Sequence, residues 1–305
     1  GGREGRLMVD TALPGQHRAA RAEYSVARLL NVDEIRGLLA PEGAYATYAR
    51  AQLAPPLFAQ SEWWSASGPG GRAIVLHARG GLGRAMVTLG DPVALDIVLG
   101  LHPGPRFCFA SFRSEHKKIV QRHFMLARNE LMVRMSITEE AFRPVEGETV
   151  RLRGSDIGRV NRLYSAEGGP ASYTSRHIED GVYYGVIQEG KLVSIAGTHV
   201  DSAAERVAVV GNVFTHPLYR GGGLATIATS AVTAALLEHC DFVALTVEAA
   251  NEPALAVYTR LGYREECTLY ETAAVRKDAL GVLSGLRRMA AAWRGRREGK
   301  EIVLR

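Results

Sequence analysis

The sequence predicts an α/β protein of two domains, and three observations carry that expectation. The chain has 305 residues, about twice the usual length of one domain. Strand-like alternating runs take turns with helix-like segments along it. A break at "RPVEGE", residues 143–148, separates two halves that each run hairpin, helix, strand, helix, strand. Their sequences are not visibly alike, so duplication rests on element order alone. The expected division is a flexible leader over 1–24, an N-terminal α/β domain over 25–145 and a second domain over 146–305 with a basic C-terminal helix.

The elements follow in order. Residues 31–60 read as helical, opened by Asn31 as N-cap and stopped at Pro55-Pro56. "RAIVLHARGGLGRAMVTLGD", 72–91, is two alternating runs about a glycine-rich turn, hence a hairpin. "PVALDIVLGLH" begins with proline at a helical first turn. Strand "RFCFASFR", helix "SEHKKIVQRHFML" and strand "ELMVRMSI" complete the first half. The second half opens with a strand and a helix in "TVRLRGSDIGRVNRLYS", capped by Ser155 or Asp156. "SYTSRHIED" reads as helix, and "VYYGVIQEGKLVSIAGTHVD" as a hairpin turned at Glu189-Gly190. Strand 206–216, a helix to about His239, strand "FVALTVEA", helix "EPALAVYTRL" and strand "YREECTLYETAA" follow. A basic helix near 277–296 and a last strand or tail, "EIVLR", end the chain.

Composition excludes several classes. Hydrophobic residues make up 47% and charged residues 23%, an ordinary globular balance. The longest apolar run, "LATIATSAVTAALLEHCDFVAL", is interrupted by Glu238, His239 and Asp241, so no membrane span is expected. The first 25 residues lack a signal-peptide core. Cys108, Cys240 and Cys267 are odd in number and far apart, which argues against disulfides and zinc and for buried thiols in a cytoplasmic protein. The net charge is +5, with much of the excess after residue 275. No aromatic-interleaved basic stripe accompanies it, so nucleic acid is not the expected partner.

"HPLYRGGGLA" places three glycines between a strand and a helix. A helix exposes unpaired N–H groups and partial positive charge at its first turn. Glycines let the preceding loop curl so that these groups converge on an anion. Arg220, Gly221, Gly222, Gly223, Leu224 and Ala225 have this layout, which suits a pyrophosphate. The loop is not a P-loop, and no acidic residue follows at the dinucleotide-fingerprint distance.

A second motif lies thirty residues on. In "NEPALAVYTRLGY", Ala254 and Tyr258 share one helix face, and Asn251, Gly262 and Tyr263 frame it. Together, in this order and with a strand between, the two segments resemble the GNAT superfamily of acyl-CoA-dependent N-acetyltransferases. The first is similar to its [QR]-x-x-G-x-[GA] loop, through Arg220, Gly223 and Ala225. The second is similar to its N-x-x-A-x-x-x-Y-x-x-x-G-[FY] helix. The resemblance covers about residues 148–272. It implies a GNAT fold: a mixed, mostly antiparallel central sheet flanked by helices.

It also implies roles. The amides of Gly221, Gly222, Gly223, Leu224 and Ala225 would hold the pyrophosphate of acetyl-CoA or another short acyl-CoA, with Arg220 on the rim. Pantetheine would slot between splayed strands "GNVFTH" and "ALTVEA", paired with backbone groups of Phe214 and Thr215 that orient the acyl carbonyl. Asn251 would contact the pantetheine arm. Tyr258 would protonate the leaving thiolate. No metal is implied. For the general base, the family's strand carboxylate is replaced by Asn212; Glu248 is the best acid nearby, with His216, His199 or a water chain as alternatives.

The N-terminal half resembles the degenerate first domain of tandem acetyltransferases, on element order and the Trp63–Trp64 region. "SEWW" would line an acceptor site or pack exposed against the second half. Two function classes follow: an enzyme moving a short acyl group to a small amine or amino acid, and a non-catalytic acyl-CoA sensor on the same fold. Either is compatible with a homodimer.

Overall fold

The computed structural model describes residues 7–10, 23–79, 83–168 and 173–297. The chain runs β1 (Leu7–Asp10), β2 (Glu23–Leu29), α1 (Val32–Leu39), α2 (Thr47–Ala51), β3 (Ser61–Gly68), β4 (Gly71–Ala78), β5 (Ala85–Gly90), α3 (Pro92–Leu101), β6 (Phe107–Phe112), α4 (Lys117–His123), β7 (Phe124–Leu126) and β8 (Met132–Ile137). It continues through β9 (Val150–Arg151), α5 (Ile157–Tyr164), α6 (Ser175–Glu179), β10 (Tyr184–Gln188), β11 (Lys191–Ser202), β12 (Val207–Thr215), α7 (Leu224–Leu237), β13 (Phe242–Glu248), α8 (Glu252–Leu261), β14 (Arg264–Arg276) and α9 (Val282–Arg297).

Two units share these elements. The first holds Gly1–Ile35, Ala59–Glu130 and Leu269–Arg305; the second holds Arg36–Phe58 and Leu131–Thr268. The expected cut at 145/146 is therefore not the one the contacts follow. In the first unit β1 to β5 pair antiparallel in chain order, β5 pairs parallel with β6, and β6 pairs antiparallel with β14. In the second, β9 to β12 pair antiparallel, β12 pairs parallel with β13, and β13 pairs antiparallel with β8. The same order appears twice. Each sheet closes on a strand from outside its own run: β14 follows β13 in the chain, and β8 follows β6. This exchange is why a single cut fails.

Local chemistry explains the elements that position the site. Leu224, Ala228, Val232 and Leu236 recur at helical spacing and are buried, so α7 lies against β10, β11 and β12, in a core that includes Val186, Val193, Ala196, Ala208 and Val210. Each such Leu or Val side chain contributes about 1.5–3 kcal/mol on burial. Glu189 and Gly190 both adopt positive φ, the geometry a two-residue hairpin turn requires.

Several expectations are corrected. The leader holds a strand: β1 pairs with β2 from Leu7↔Val26 to Asp10↔Glu23; residues 1–6 and 11–22 lie outside the described residues. The helix over 31–60 breaks after Leu39, because Gly43 takes φ 53° and the chain turns before α2. The helix expected through Leu126 ends at His123 and gives way to β7. "SEWW" belongs to β3. Trp63 is buried in the first unit and donates to Ser61 Oγ at 2.8 Å, while Trp64 stacks on His102 at 3.4 Å, so neither is an exposed packing surface. The linker at 143–148 is tied down: Arg143 N–H donates to Leu261 O and Val145 N–H to Ser230 Oγ, both at 2.9 Å. "EIVLR" lies outside the described residues. No described helix is long and apolar enough to cross a membrane.

Candidate active site

The site begins where two parallel strands part. β12 and β13 pair only from Val207↔Phe242 to Val210↔Leu245. Past Val210, Asn212 takes φ 56°, and the β11–β12 register shifts there, between Gly211 and Phe214, as it does between Val209 and Val210. Such a bulge bends its strand and re-aims its edge. Among the described residues no strand pairs with the β13-facing edge of Gly211–Thr215. Gly211 has a local reason as well: a Cβ there would lie 2.2 Å from His199 Nε2.

β12 leads through a short turn into α7. His216 Nδ1 accepts from Leu218 N–H at 3.3 Å and its ring meets Tyr219 edge-on, so this histidine caps the turn. Gly221 and Gly223 adopt φ 84° and 74°, left-handed values that favour glycine. Gly223 is the N-cap and has no side chain to satisfy the helix start. Among the described residues, the N–H groups of Gly221, Gly222, Gly223, Leu224 and Ala225 have no hydrogen-bond partner. The three glycines are exposed. The loop is thus a row of bare amides at the positive end of a fourteen-residue helix.

Arg220 stands over this loop. Its Nε donates to Thr215 O at 3.2 Å, its Nη2 donates to Glu167 Oε1 at 2.5 Å, and its guanidinium lies 5.7 Å from the Phe214 ring centroid. The structure therefore gathers Arg220, Phe214, Thr215 and the glycines at one end of β12. At the facing end of β13, Glu248 lies three residues beyond the last pair with β12. Asn251 caps α8: its Oδ1 accepts from Ala254 N–H at 3.2 Å, which commits the amide oxygen and leaves the NH₂ without a partner among the described residues.

Tyr258 projects from α8 and is 7% exposed. Its ring meets Tyr263 at 6.1 Å, and its hydroxyl has no hydrogen-bond partner among the described residues. Burial pushes its pKa up to about 12, so the phenol keeps its proton.

A cluster that the sequence did not single out surrounds the bulge. Tyr164 OH donates to Asn212 O at 2.5 Å, and Tyr173 OH donates to Asn212 Oδ1 at 2.7 Å. Asn212 Nδ2 donates to Tyr183 OH at 3.0 Å and Thr198 O at 3.3 Å. Tyr164 stacks on Tyr173, with ring centroids 4.5 Å apart, and tilts against Phe214. Burial raises the pKa of all three tyrosines. The bulge is thus held by neutral groups, and the side chain of Asn212 is fully engaged. The sequence shows these only as the tyrosines of "NRLYS", "SYTSRH" and "VYYGV", which carry no spacing rule.

The cysteines sit apart from this geometry. Burial pushes both Cys108 and Cys240 up to about 12, as expected of unreactive thiols. Cys240 lies with Asp201 and His239, whose donor atoms are within 4.8 Å of one another. His239 Nε2 is already paired with Asp201 Oδ1 at 2.8 Å, and Asp201 faces Ala208, at the far end of β12 from Thr215.

Comparison with known proteins agrees with this geometry. The sequence model of the Acetyltransferase (GNAT) family matches residues 159–263. No curated protein sequence matches the chain. Among solved structures, a Drosophila protein is similar at 13% identity over 82% of this chain and 98% of its own, with a TM-score of 0.58. A GNAT-family protein from Novosphingobium aromaticivorans is 22% identical over 63% of this chain and 84% of its own, with a TM-score of 0.49. A tandem GNAT protein from the clavulanic acid biosynthesis pathway is 13% identical over 82% and 98%, with a TM-score of 0.47. The parted parallel strands, the open glycine loop and a segment that matches the acetyltransferase (GNAT) family model, residues 159–263, thus all lie in the second unit.

Proposed function

We propose that the second unit transfers an acetyl or other short acyl group from acyl-CoA to the primary amine of a small molecule or amino acid. The observation that carries this reading is the open start of α7 beside the parted ends of β12 and β13. A diphosphate fits there because the amides of Gly221–Ala225 have no internal partner. Arg220 would leave Glu167 to meet it, and an exposed ion pair of this kind holds by only about 0–1 kcal/mol. The free edge of β12 at Phe214 and Thr215 would pair with the amides of pantetheine. An N–H aimed at the developing oxyanion contributes on the order of 3 kcal/mol.

Tyr258 would donate its proton to the departing thiolate. Its raised pKa keeps it in the donor form throughout neutral and mildly alkaline solution. Direct attack needs a neutral amine held close to the thioester. Glu248, at the mouth between the strands, is the proposed base, acting directly or through water.

One observation favours the sensor reading. The bulge carries Asn212 where an acid would serve as base, and its side chain is fully engaged by Tyr173, Tyr183 and Thr198. Calorimetry with coenzyme A, followed by thiol release from acetyl-CoA with pooled amines and amino acids, tests both readings. Binding with turnover supports the enzyme, binding without turnover supports the sensor, and no binding removes both.

A further inference from the structure

Helix α9 presents two opposite faces. One lies on the first unit: Ser284, Ala291 and Ala292 are buried, and Arg287 and Arg288 donate to Gly100 O and Leu101 O at the end of α3. The other is apolar and exposed, with Val282 at 54%, Leu283 at 57%, Leu286 at 53%, Met289 at 60% and Trp293 at 57%. At helical rotation these positions fall in a stripe about 120° wide. Leu280, just ahead of the helix, is 86% exposed. A soluble surface rarely leaves so continuous an apolar stripe in water.

The charge around the stripe is one-sided. From Ala279 to Arg297 the sequence holds five arginines and no acid. Arg287 and Arg288 are engaged with α3 on the opposite face, which leaves Arg294, Arg296 and Arg297 at the C-terminal end of the helix, by helical rotation within or beside the stripe; two copies docked in parallel through this face would set these three cations against their like, which disfavours self-association. An anionic bilayer surface suits both parts: the stripe enters the acyl boundary, and Arg294, Arg296 and Arg297 meet headgroup phosphates. We infer that α9 is a peripheral membrane-docking helix that lies in the plane of an anionic lipid surface. This docking is independent of acyl transfer.

Co-sedimentation of the full chain with equimolar phosphatidylglycerol–phosphatidylcholine vesicles tests it. The expected result is binding to these vesicles, weakening as salt rises and absent with phosphatidylcholine alone, together with a blue shift in tryptophan emission. The double variant Leu286→Asp, Met289→Asp should bind at least about tenfold more weakly while its circular dichroism and coenzyme A affinity stay unchanged. Trp293→Ala should weaken binding less than the double variant does, with most of the blue shift gone. No binding to anionic vesicles overturns the inference, as does undiminished binding of the double variant. A dimer in the ultracentrifuge that the double variant abolishes, without vesicle binding, reassigns the face to a second copy. Capture of an acidic protein without vesicle binding likewise overturns it.

Discussion

In the first unit β5 runs into α3 and returns through β6 to lie parallel with it; in the second, β12, α7 and β13 trace the same path. Both parallel pairs are short, spanning Ala85–Val87 on β5 and Val207–Val210 on β12. The helix starts differ. α3 begins directly after Gly90, where Asp91 Oδ1 accepts from Ala94 N–H at 2.8 Å and Pro92 contributes no N–H. α7 begins after three glycines, with Gly223 as an N-cap that offers no side chain. An anion approaching α3 meets a carboxylate already seated; at α7 it meets bare amides. One crossover thus provides two helix dipoles, and the N-cap residue decides whether the protein or a ligand satisfies the amides.

Predictions that break or sharpen this contrast run from large to small. Tyr258→Phe should lower kcat by about 10²–10⁴ with little change in KM for acyl-CoA, measured by thiol release; an unchanged kcat would remove the tyrosine from the reaction. Gly223→Asp gives α7 a carboxylate in the manner of α3, and calorimetry should then find coenzyme A bound about a hundredfold more weakly. Unaltered affinity would show that the amides are not the anchor.

The first unit should be the acid-sensitive one. Burial holds His77 at about 4, below its ordinary 6.5, and its Nε2–H donates to His102 O at 3.0 Å. A neutral ring is therefore part of the folded state. Its stabilisation is complete above pH 6.5 and is lost as pH falls towards 4, about 3 kcal/mol in all. Thermal melts across that range should show a falling transition, and His77→Gln should make it shallower, leaving the part due to His102, which burial likewise holds at about 4. Smallest is Asp91→Ala, which should remove about 1 kcal/mol of stability and leave coenzyme A affinity untouched, as urea melts and calorimetry would report.

What was legible in the sequence is what local chemistry dictates. Gly221–Gly223 signal a loop because left-handed backbone needs glycine, and Asn251 to Gly262 mark a capped, glycine-terminated helix. Both appear where expected. The bulge at Asn212 was hidden, since a positive φ at a non-glycine residue depends on the tyrosines that hold it, and these come from distant segments. Strands β2 and β3 were not recognised: "EYSVARL" sits against what read as leader, and the tryptophans of β3 suggested a surface. The partners of β8 and β14 are set by long-range pairing that no spacing encodes.

Because β8 and β14 each complete the sheet of the other half, a gene split at residue 145 would separate both strands from their partners. The N-terminal fragment would leave β6 with a bare edge, and the C-terminal fragment would do the same to β13. Each piece is then an incomplete folding unit whose missing strand is supplied by the other. Co-expressed, the two fragments should behave as a split-protein pair, soluble together and prone to aggregate apart.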